Sequence, residues 1–194
     1  MTHNPSGNSP LREGFAATNM AHEITLTRGF KTIIDAQDAE WVRQWYWCSF
    51  VKQNGAVYAK RRSRESQDQV LLHRELMQHI LDRGLLTGEE VDHINMDTLD
   101  NRRANLRIAN RTQQRANQQK RRDAVMSCFK GVYKMPKLRS GQSRKKPWQV
   151  RCGRHHIGYY ATEIEAAVAY DRAARTVFGE FARTNFPGED HANH

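Results

Sequence analysis

The chain has 194 residues, 38% of them hydrophobic, which leaves room for one ordinary domain or two or three small ones but not for a large continuous core. Its 31 Lys and Arg residues outnumber its 21 acidic residues, and the resulting net charge of +10 favours a polyanionic partner, most commonly nucleic acid. No apolar run approaches the ~18 residues of a membrane span, the polar N-terminus lacks a secretory signal, and three cysteines without CxxC spacing argue against a disulfide scaffold or a cysteine-built zinc finger.

The N-terminal part of the chain predicts a polar segment followed by a β-rich region. Residues 1–21 are rich in Asn, Ser, Gly and Pro, a composition typical of disorder. Within residues 22–69, the alternation of Glu23–Ile34 predicts one or two strands, and Asp38–Trp45 predicts a short helix capped by Asp38. Further on, Asn54-Gly55 predicts the turn of a β-hairpin.

Residues 70–119 predict a strand and helix followed by a compact ββα unit. Val70–Ile80 is predicted to be a strand that runs into a short helix. Val91–Ile94 and Leu106–Ile108 are predicted strands on either side of a polar loop, and Ala109–Arg122 is a predicted helix with little apolar surface. This order places the end of the first strand opposite the side chains of the helix.

Residues 129–187 predict a three-stranded antiparallel sheet packed on one helix. The helix begins at a capping box formed by Thr162 and Glu165, and Gly179 lies where a glycine ends a helix. Such a sheet buries one face and leaves the other to the basic residues. The predicted strands are Phe129–Met135, Trp148–Cys152 and His155–Tyr160. The whole chain is therefore predicted to be an α+β protein.

The positive charge is concentrated in residues 120–154, which carry 12 basic side chains and one acidic side chain. Such a run is usually a solvated tail. Here the aromatic residues Phe129, Tyr133 and Trp148 are interleaved with the charges, which favours a folded basic sheet. We expect residues 120–128 to be a basic linker and residues 188–194 a short tail.

The ββα unit carries a candidate metal site. Asp92 ends the first strand, and the helix offers an amide oxygen from either Gln114 or Asn117. Carboxylate and amide oxygens are hard ligands, which suit Mg²⁺ or Mn²⁺ better than Zn²⁺. The predicted cofactor is therefore a divalent metal ion, Mg²⁺ or Mn²⁺.

The same unit carries a candidate base. The imidazole of His93, with an ordinary pKa of about 6.5, can take a proton from water near neutral pH. Asn101 or Asn105 can hold the loop or orient the imidazole. A base, a water and a metal ion beside a phosphodiester make a minimal hydrolytic site.

Residues 70–118 resemble the HNH endonuclease family, in its homing-endonuclease-like branch. The resemblance rests on the string D-H…D-N-R…N-L-R and on the upstream string LHRELM. It implies a ββα-metal fold in which His93 is the general base, Asp92 is a metal ligand, and Asn105 supports the strand that bears His93.

The third signature residue of that family, a His or Asn on the helix, falls at Gln114, which departs from the pattern but still offers a carbonyl oxygen. Asn117, one helical turn later, is the substitute. This departure keeps open a catalytically inactive form of the fold.

Residues 129–187 resemble the Apetala-two/ethylene-response-factor DNA-binding domain, through the strings FKGVYK, PWQVRC, HIGYYATEIEAAVAYDRAA and ARTNFP. That family lays its sheet in the major groove of DNA. Tyr133 and Gln149 stand where the plant proteins often carry Arg and Lys, so their sequence preference does not transfer. By position, the residues implied to face DNA are Lys130, Tyr133, Lys134, Trp148, Arg151 and Arg154.

The combination predicts a metal-dependent endonuclease of the homing type, which nicks or cuts double-stranded DNA at preferred sites. By resemblance to phage and prophage enzymes, we expect it on DNA in the cytoplasm of a bacterial host cell, as a monomer or a DNA-induced dimer, without a membrane partner. The alternative is a catalytically inactive, sequence-specific DNA-binding regulator. An RNA-binding or structural role is a third reading.

Overall fold

The computed structural model describes residues 20–118 and 127–188, so most of the predicted disordered segment, linker and tail lies outside the described residues. The strands are β1 Ala21–Thr25, β2 Lys31–Asp35, β3 Cys48–Val51, β4 Val57–Arg62, β5 Gln69–Leu71, β6 Glu90–His93, β7 Leu106–Ala109, β8 Val132–Lys134, β9 Trp148–Cys152 and β10 His155–Tyr160. The α-helices are α1 Ala39–Val42, α2 Leu72–Leu81, α3 Arg111–Asn117 and α4 Glu163–Phe178. Short 3-10 helices span Thr27–Gly29, Ala36–Asp38, Arg103–Asn105 and Gly179–Phe181.

Two small sheets build the N-terminal region. Strands β1 and β2 form an antiparallel hairpin, and β3, β4 and β5 form a three-stranded antiparallel sheet. The predicted turn at Asn54-Gly55 joins β3 to β4, where Val51 pairs with Val57. Gly55 has a φ of +83°, the left-handed conformation for which glycine is favoured in such turns.

One hydrophobic core joins the N-terminal region to the following segment. Trp47 and Ile34 pack in the same cluster as Leu72 and Leu76 from α2 and Val91 from β6. Residues predicted as a separate β-rich region therefore bury their apolar surface together with the ββα unit, since neither part alone supplies a large core.

The predicted cap of the first helix is wrong. Asp38 makes no capping hydrogen bond; its buried carboxylate accepts hydrogen bonds from the Nε and Nη2 atoms of Arg103, at 2.9 and 2.5 Å. A carboxylate that is only 1% exposed is costly unless a charged partner satisfies it, and Arg103 provides that partner from the loop before β7.

The ββα unit consists of β6, β7 and α3. The two strands are antiparallel, with His93 opposite Leu106, and α3 begins at a reciprocal capping box between Asn110 and Gln113. The helix is shorter than predicted, ending at Asn117.

The C-terminal domain is a sheet in the order β10-β9-β8 packed on α4, as predicted. The capping box of Thr162 and Glu165 is present, and Gly179, with a φ of +54°, follows the last helical residue. Asp171 is fully buried and accepts hydrogen bonds from the backbone N–H groups of Asn185 and Phe186, which fasten the end of the domain to α4. Within the described ranges, no helix is long and apolar enough to cross a membrane.

We expect Gly131→Ala to destabilise the C-terminal domain by about 3 kcal/mol. Gly131 has a φ of +73°, and a Cβ atom there would lie 2.0 Å from the ring of Tyr170 and 2.6 Å from the carbonyl oxygen of Arg151. Gly141→Ala is the matched control, because Gly141 has a similar φ of +82° with nothing within 4 Å of the added atom. Urea unfolding followed by circular dichroism measures both; equal losses for the two variants would contradict this packing.

Candidate functional site

Asp92 and His93 lie side by side at the end of β6, and both are buried. The Oδ2 atom of Asp92 accepts hydrogen bonds from Arg107 Nε and Nη2, at 3.1 and 3.0 Å, and from Asn117 Nδ2 at 3.0 Å. The Oδ1 atom of the same carboxylate makes no hydrogen bond to another described residue. All three donors thus converge on one oxygen of the carboxylate.

The side-chain amide of Asn117 points its nitrogen atom, Nδ2, toward Asp92. The Nδ2 atom also donates to the backbone carbonyl of His93, at 2.9 Å. Because both neighbours are acceptors, the carbonyl oxygen of Asn117 points away from Asp92. The structure therefore gives Asn117 a supporting contact with the His93 strand, in contrast to its predicted role as a metal ligand.

Gln114 lies one turn earlier on α3 and is half-buried. Its side chain makes no hydrogen bond to the other described residues. The side-chain carbonyl oxygen of Gln114, a predicted metal ligand, therefore accepts no hydrogen bond from the described part of the chain.

The imidazole of His93 is held by Asn101, not by Asn105. His93 Nε2 lies 3.1 Å from Asn101 Oδ1. Burial lowers the pKa of His93 below its ordinary value, although the hydrogen bond to Asn101 and the charge of Asp92 oppose the shift. A lowered pKa keeps the ring neutral at pH 7, the form that can accept a proton.

Asn105 supports the turn that follows His93. Its Oδ1 atom accepts from the backbone N–H of Asn95 at 2.9 Å, and its Nδ2 atom donates to the carbonyl of Asp100 at 2.7 Å. The backbone N–H of Ile94 donates to the Asn105 carbonyl at 2.9 Å. These bonds fix the turn that follows His93.

A second imidazole lies beside the first. The ring centroid of His73, on α2, is 5.0 Å from that of His93, and the ring of Tyr58 is 5.5 Å from His73. Burial lowers the pKa of His73 from 6.5 to about 3, so this ring is also neutral at pH 7. The packing of α2 against β6 brings the two rings together.

Asp92 and Gln114 offer oxygen atoms, which are ligands of hard divalent ions. No group of three or more His, Cys, Asp or Glu side chains that could hold a metal ion occurs within residues 20–118 and 127–188. Mg²⁺ is commonly held by one or two carboxylates together with water and substrate phosphate. Asp92 Oδ1 and the amide oxygen of Gln114 are compatible with that mode.

The outer face of the C-terminal sheet is set by its register. Tyr133 pairs with Gln149, which pairs with Tyr159, and Arg151 pairs with His156. The neighbouring pair of Val132 and Val150 is buried, so alternation turns the first group outward. The residues of this outer face are Tyr133, Gln149, Arg151, His156 and Tyr159. His156 and Tyr159 were missed from the sequence because they lie three residues apart, and they share a face only through a register shift between His156 and Gly158.

Lys134 and Trp148 pair with each other on the opposite face, which turns Trp148 away from its predicted DNA-facing side and leaves Lys134 exposed at the edge of the sheet. Trp148 packs against the core of the C-terminal domain, and the Lys134 ammonium lies 5.4 Å from the centre of its ring. The physical reason is the two-residue repeat of a strand: Val132 and Val150 must be buried, and so Lys134 and Trp148 share their face. Arg154 lies exposed in the turn between β9 and β10.

Lys130 is also displaced from its predicted position. Its ammonium donates to the backbone carbonyls of Ala116 and Gln118, at the C-terminal end of α3. Burial lowers the pKa of Lys130 to about 8. A cation is favourable beside the unpaired carbonyls that end a helix, so Lys130 caps the helix that carries Asn117.

A second contact joins the C-terminal domain to the site. Arg107, which binds Asp92, also donates from Nη1 to the carbonyl of Glu180 at 2.8 Å, and its guanidinium lies 4.0 Å from the ring centre of Phe181. Asp92 is thus held in part by a residue that packs against the C-terminal domain.

Part of the ββα unit matches a known protein family. Residues 85–116 match the family model of the HNH endonuclease, a range that contains Asp92, His93, Asn101, Asn105 and Gln114. The chain therefore contains a stretch that matches the HNH endonuclease family, and it is also similar to a plant ethylene-responsive transcription factor.

The similar proteins are of two kinds, an HNH endonuclease and plant proteins. Over 115 residues, 59% of this chain and 56% of the relative, the chain is 33% identical to an uncharacterized HNH endonuclease of Acanthamoeba polyphaga mimivirus. It is 42% identical to the ethylene-responsive transcription factor LEP of Arabidopsis thaliana over 71 residues, 37% of this chain and 33% of that protein. It is 54% identical to the dehydration-responsive element-binding protein 2E of the same plant over 37 residues, 19% of this chain and 15% of that protein. The chain thus spans about half or less of the length of each relative, and no solved structure matches it.

We expect the stability of the protein to fall as the pH is lowered from 6.5 toward 5, in part because of His73. Its pKa is about 3 when folded and 6.5 when unfolded, so between these values the unfolded chain binds more protons. The contribution is fully present above pH 6.5 and is lost at up to about 1.4 kcal/mol per pH unit below it. Urea unfolding at several pH values should show a smaller slope for His73→Leu than for the wild type; equal slopes would contradict a buried neutral His73.

Proposed function

We propose that this protein is a metal-dependent DNA endonuclease that hydrolyses phosphodiester bonds of double-stranded DNA at preferred sites. The observation that carries the proposal is the buried pair at the end of β6, where a neutral His93 lies beside an Asp92 whose Oδ1 is left to an external ligand. The HNH family match covers this pair, and the outer face of the C-terminal sheet supports binding in the major groove of DNA.

In this mechanism His93 is the general base, which takes the proton of the water that attacks phosphorus. Asp92 Oδ1 and the amide oxygen of Gln114 would hold Mg²⁺ or Mn²⁺. When bound, such an ion polarises the phosphate and stabilises the leaving 3′ oxygen. Asn101 orients the imidazole, Asn117 holds the backbone carbonyl of His93, and Asn105 holds the turn that follows.

For DNA binding, we propose that the outer face of the sheet enters the major groove. Arg151 is the charged residue of that face and can pair bidentately with guanine. Arg154, in the adjacent turn, and Lys134, at the edge of the sheet, suit phosphate contacts. Trp148 and Lys130 support the domain and α3 instead.

A second candidate function is a DNA-binding regulator without nuclease activity. The departure at Gln114 favours it, because this longer side chain replaces the His or Asn of the family pattern at a position that would ligate the metal ion.

Each chain holds one site, so a double-strand break requires two chains, and a single chain is expected to nick. We place the activity on DNA in a bacterial host cell, by the resemblance to phage-type homing enzymes.

We expect purified protein with Mg²⁺ to convert supercoiled plasmid to relaxed or linear DNA, and His93→Ala to abolish this conversion while DNA binding is retained. The reason is that His93 supplies the base for cleavage, whereas DNA binding is assigned to the C-terminal sheet, which does not contain His93. His79→Ala, which removes an exposed imidazole of α2 stacked on Trp41, is the matched control and should cut like the wild type. Agarose gels measure cleavage, and gel shifts measure binding. Binding without cleavage under any divalent ion would establish the regulator instead.

We expect Arg151→Ala to weaken DNA binding about 10-fold or more, since a bidentate base contact contributes about 1–3 kcal/mol. Arg172→Ala removes an exposed arginine from α4, on the other side of the domain, and should leave the affinity within about twofold of the wild type. Fluorescence anisotropy with a labelled duplex at fixed salt measures both. Equal affinities for the two variants would remove the outer face of the sheet from the DNA interface.

A further inference from the structure

We propose that Thr32 is a positioning residue of the nuclease site, whose hydroxyl group fixes which ring nitrogen of His93 carries the proton. This inference rests on the proposed function, since it concerns the base of that reaction. Thr32 lies on β2, outside residues 85–116 that match the HNH family. It is fully buried, as is Asn101 at 1% exposure, so no bulk water competes for their hydrogen bonds.

The Thr32 hydroxyl group donates its proton in a direction that its neighbours fix. Thr32 Oγ1 lies 2.7 Å from the backbone carbonyl oxygen of Leu99, which can only accept, so the hydroxyl proton points there. A hydroxyl group has one proton. Its oxygen therefore acts as an acceptor toward its second neighbour, Asn101 Nδ2, at 2.7 Å.

The hydrogen bond to Thr32 sets the orientation of the Asn101 amide. Because Nδ2 donates to Thr32, Oδ1 is turned toward His93 Nε2, at 3.1 Å. An amide oxygen has no proton to give, so Nε2 must donate. In a neutral imidazole the other nitrogen, Nδ1, then carries the lone pair and is the atom that takes the proton from water.

The backbone around this relay is held independently of the hydroxyl group. The N–H of Ile33 donates to the Leu99 carbonyl at 2.8 Å, and the N–H of Asn101 donates to the Ile33 carbonyl at 2.7 Å. These two bonds keep β2 against the loop when the Thr32 hydroxyl is absent. Thr32→Val, which keeps the branched shape, is therefore expected to fold, whereas Thr32→Ser keeps the hydroxyl group.

The experiment compares the full-length wild type with Thr32→Val and Thr32→Ser. Long-range ¹H–¹⁵N spectra at pH 8 report the tautomer of each histidine, and the His93 signals are assigned by their absence in His93→Ala. We expect the Nε2–H tautomer in the wild type and in Thr32→Ser. In Thr32→Val the Asn101 amide loses its acceptor and is free to turn over, so a substantial Nδ1–H population is expected.

Cleavage gives the second readout. We expect the single-turnover rate with Mg²⁺ to fall about 10- to 100-fold in Thr32→Val, in the range seen when the supporting partner of a site residue is removed. Thr32→Ser should stay within about threefold of the wild type, and duplex affinity should not change in either variant.

An Nδ1–H tautomer in the wild type would overturn the proposal without any variant. A Thr32→Val protein that loses cleavage while its His93 tautomer is unchanged would also overturn it, because the effect would then be merely structural. So would a Thr32→Val protein that keeps both the wild-type tautomer and the wild-type cleavage rate. If the wild type shows the Nε2–H tautomer but cuts no DNA under any divalent ion, the proposed function fails while the placement of the proton stands.

Discussion

The burial of Asp92 and His93 sets the requirement that the rest of the nuclease core satisfies. A carboxylate and an imidazole withdrawn from water are costly unless each is hydrogen-bonded. Arg107 on β7 and Asn117 on α3 satisfy one oxygen of Asp92, and Asn101 in the intervening loop satisfies His93. Because these partners come from three separate segments, the site depends on the packing of the whole ββα unit. Asn101 depends in turn on β2 of the N-terminal region, which explains why that region shares the nuclease core.

The two domains are joined by contacts that also support the site. Arg107 binds Asp92 on one side and the Gly179–Phe181 turn on the other, and Lys130 caps the end of α3. Both belong to a chain of net charge +10, yet both bind acceptors within the protein. These contacts fix the C-terminal sheet relative to Asp92 and His93, and in the proposed function they align the DNA-binding face with the cutting site.

Much of the architecture is predictable because the signals are local. The turn at Asn54-Gly55, the capping box at Thr162 and Glu165 and the glycine at 179 each depend on neighbouring residues, and the structure confirms them. The failures depend on distant partners. Asp38 resembles a cap until Arg103 is packed against it, and Lys130 resembles a DNA contact until α3 ends beside it. Trp148 was misplaced for a different reason, since strand alternation in the sequence shows which residues share a face but not which face is buried.

The proposed mechanism requires a bound duplex to reach the end of β6. A crystal structure of the full-length protein with a DNA duplex and Ca²⁺, used as an ion that supports binding without cutting, would determine this. We expect a backbone phosphate beside Asp92 Oδ1 and His93 Nδ1, with the outer face of the C-terminal sheet in the major groove of the same duplex. A duplex that occupies the sheet while His93 and Asp92 remain away from every phosphate would contradict it.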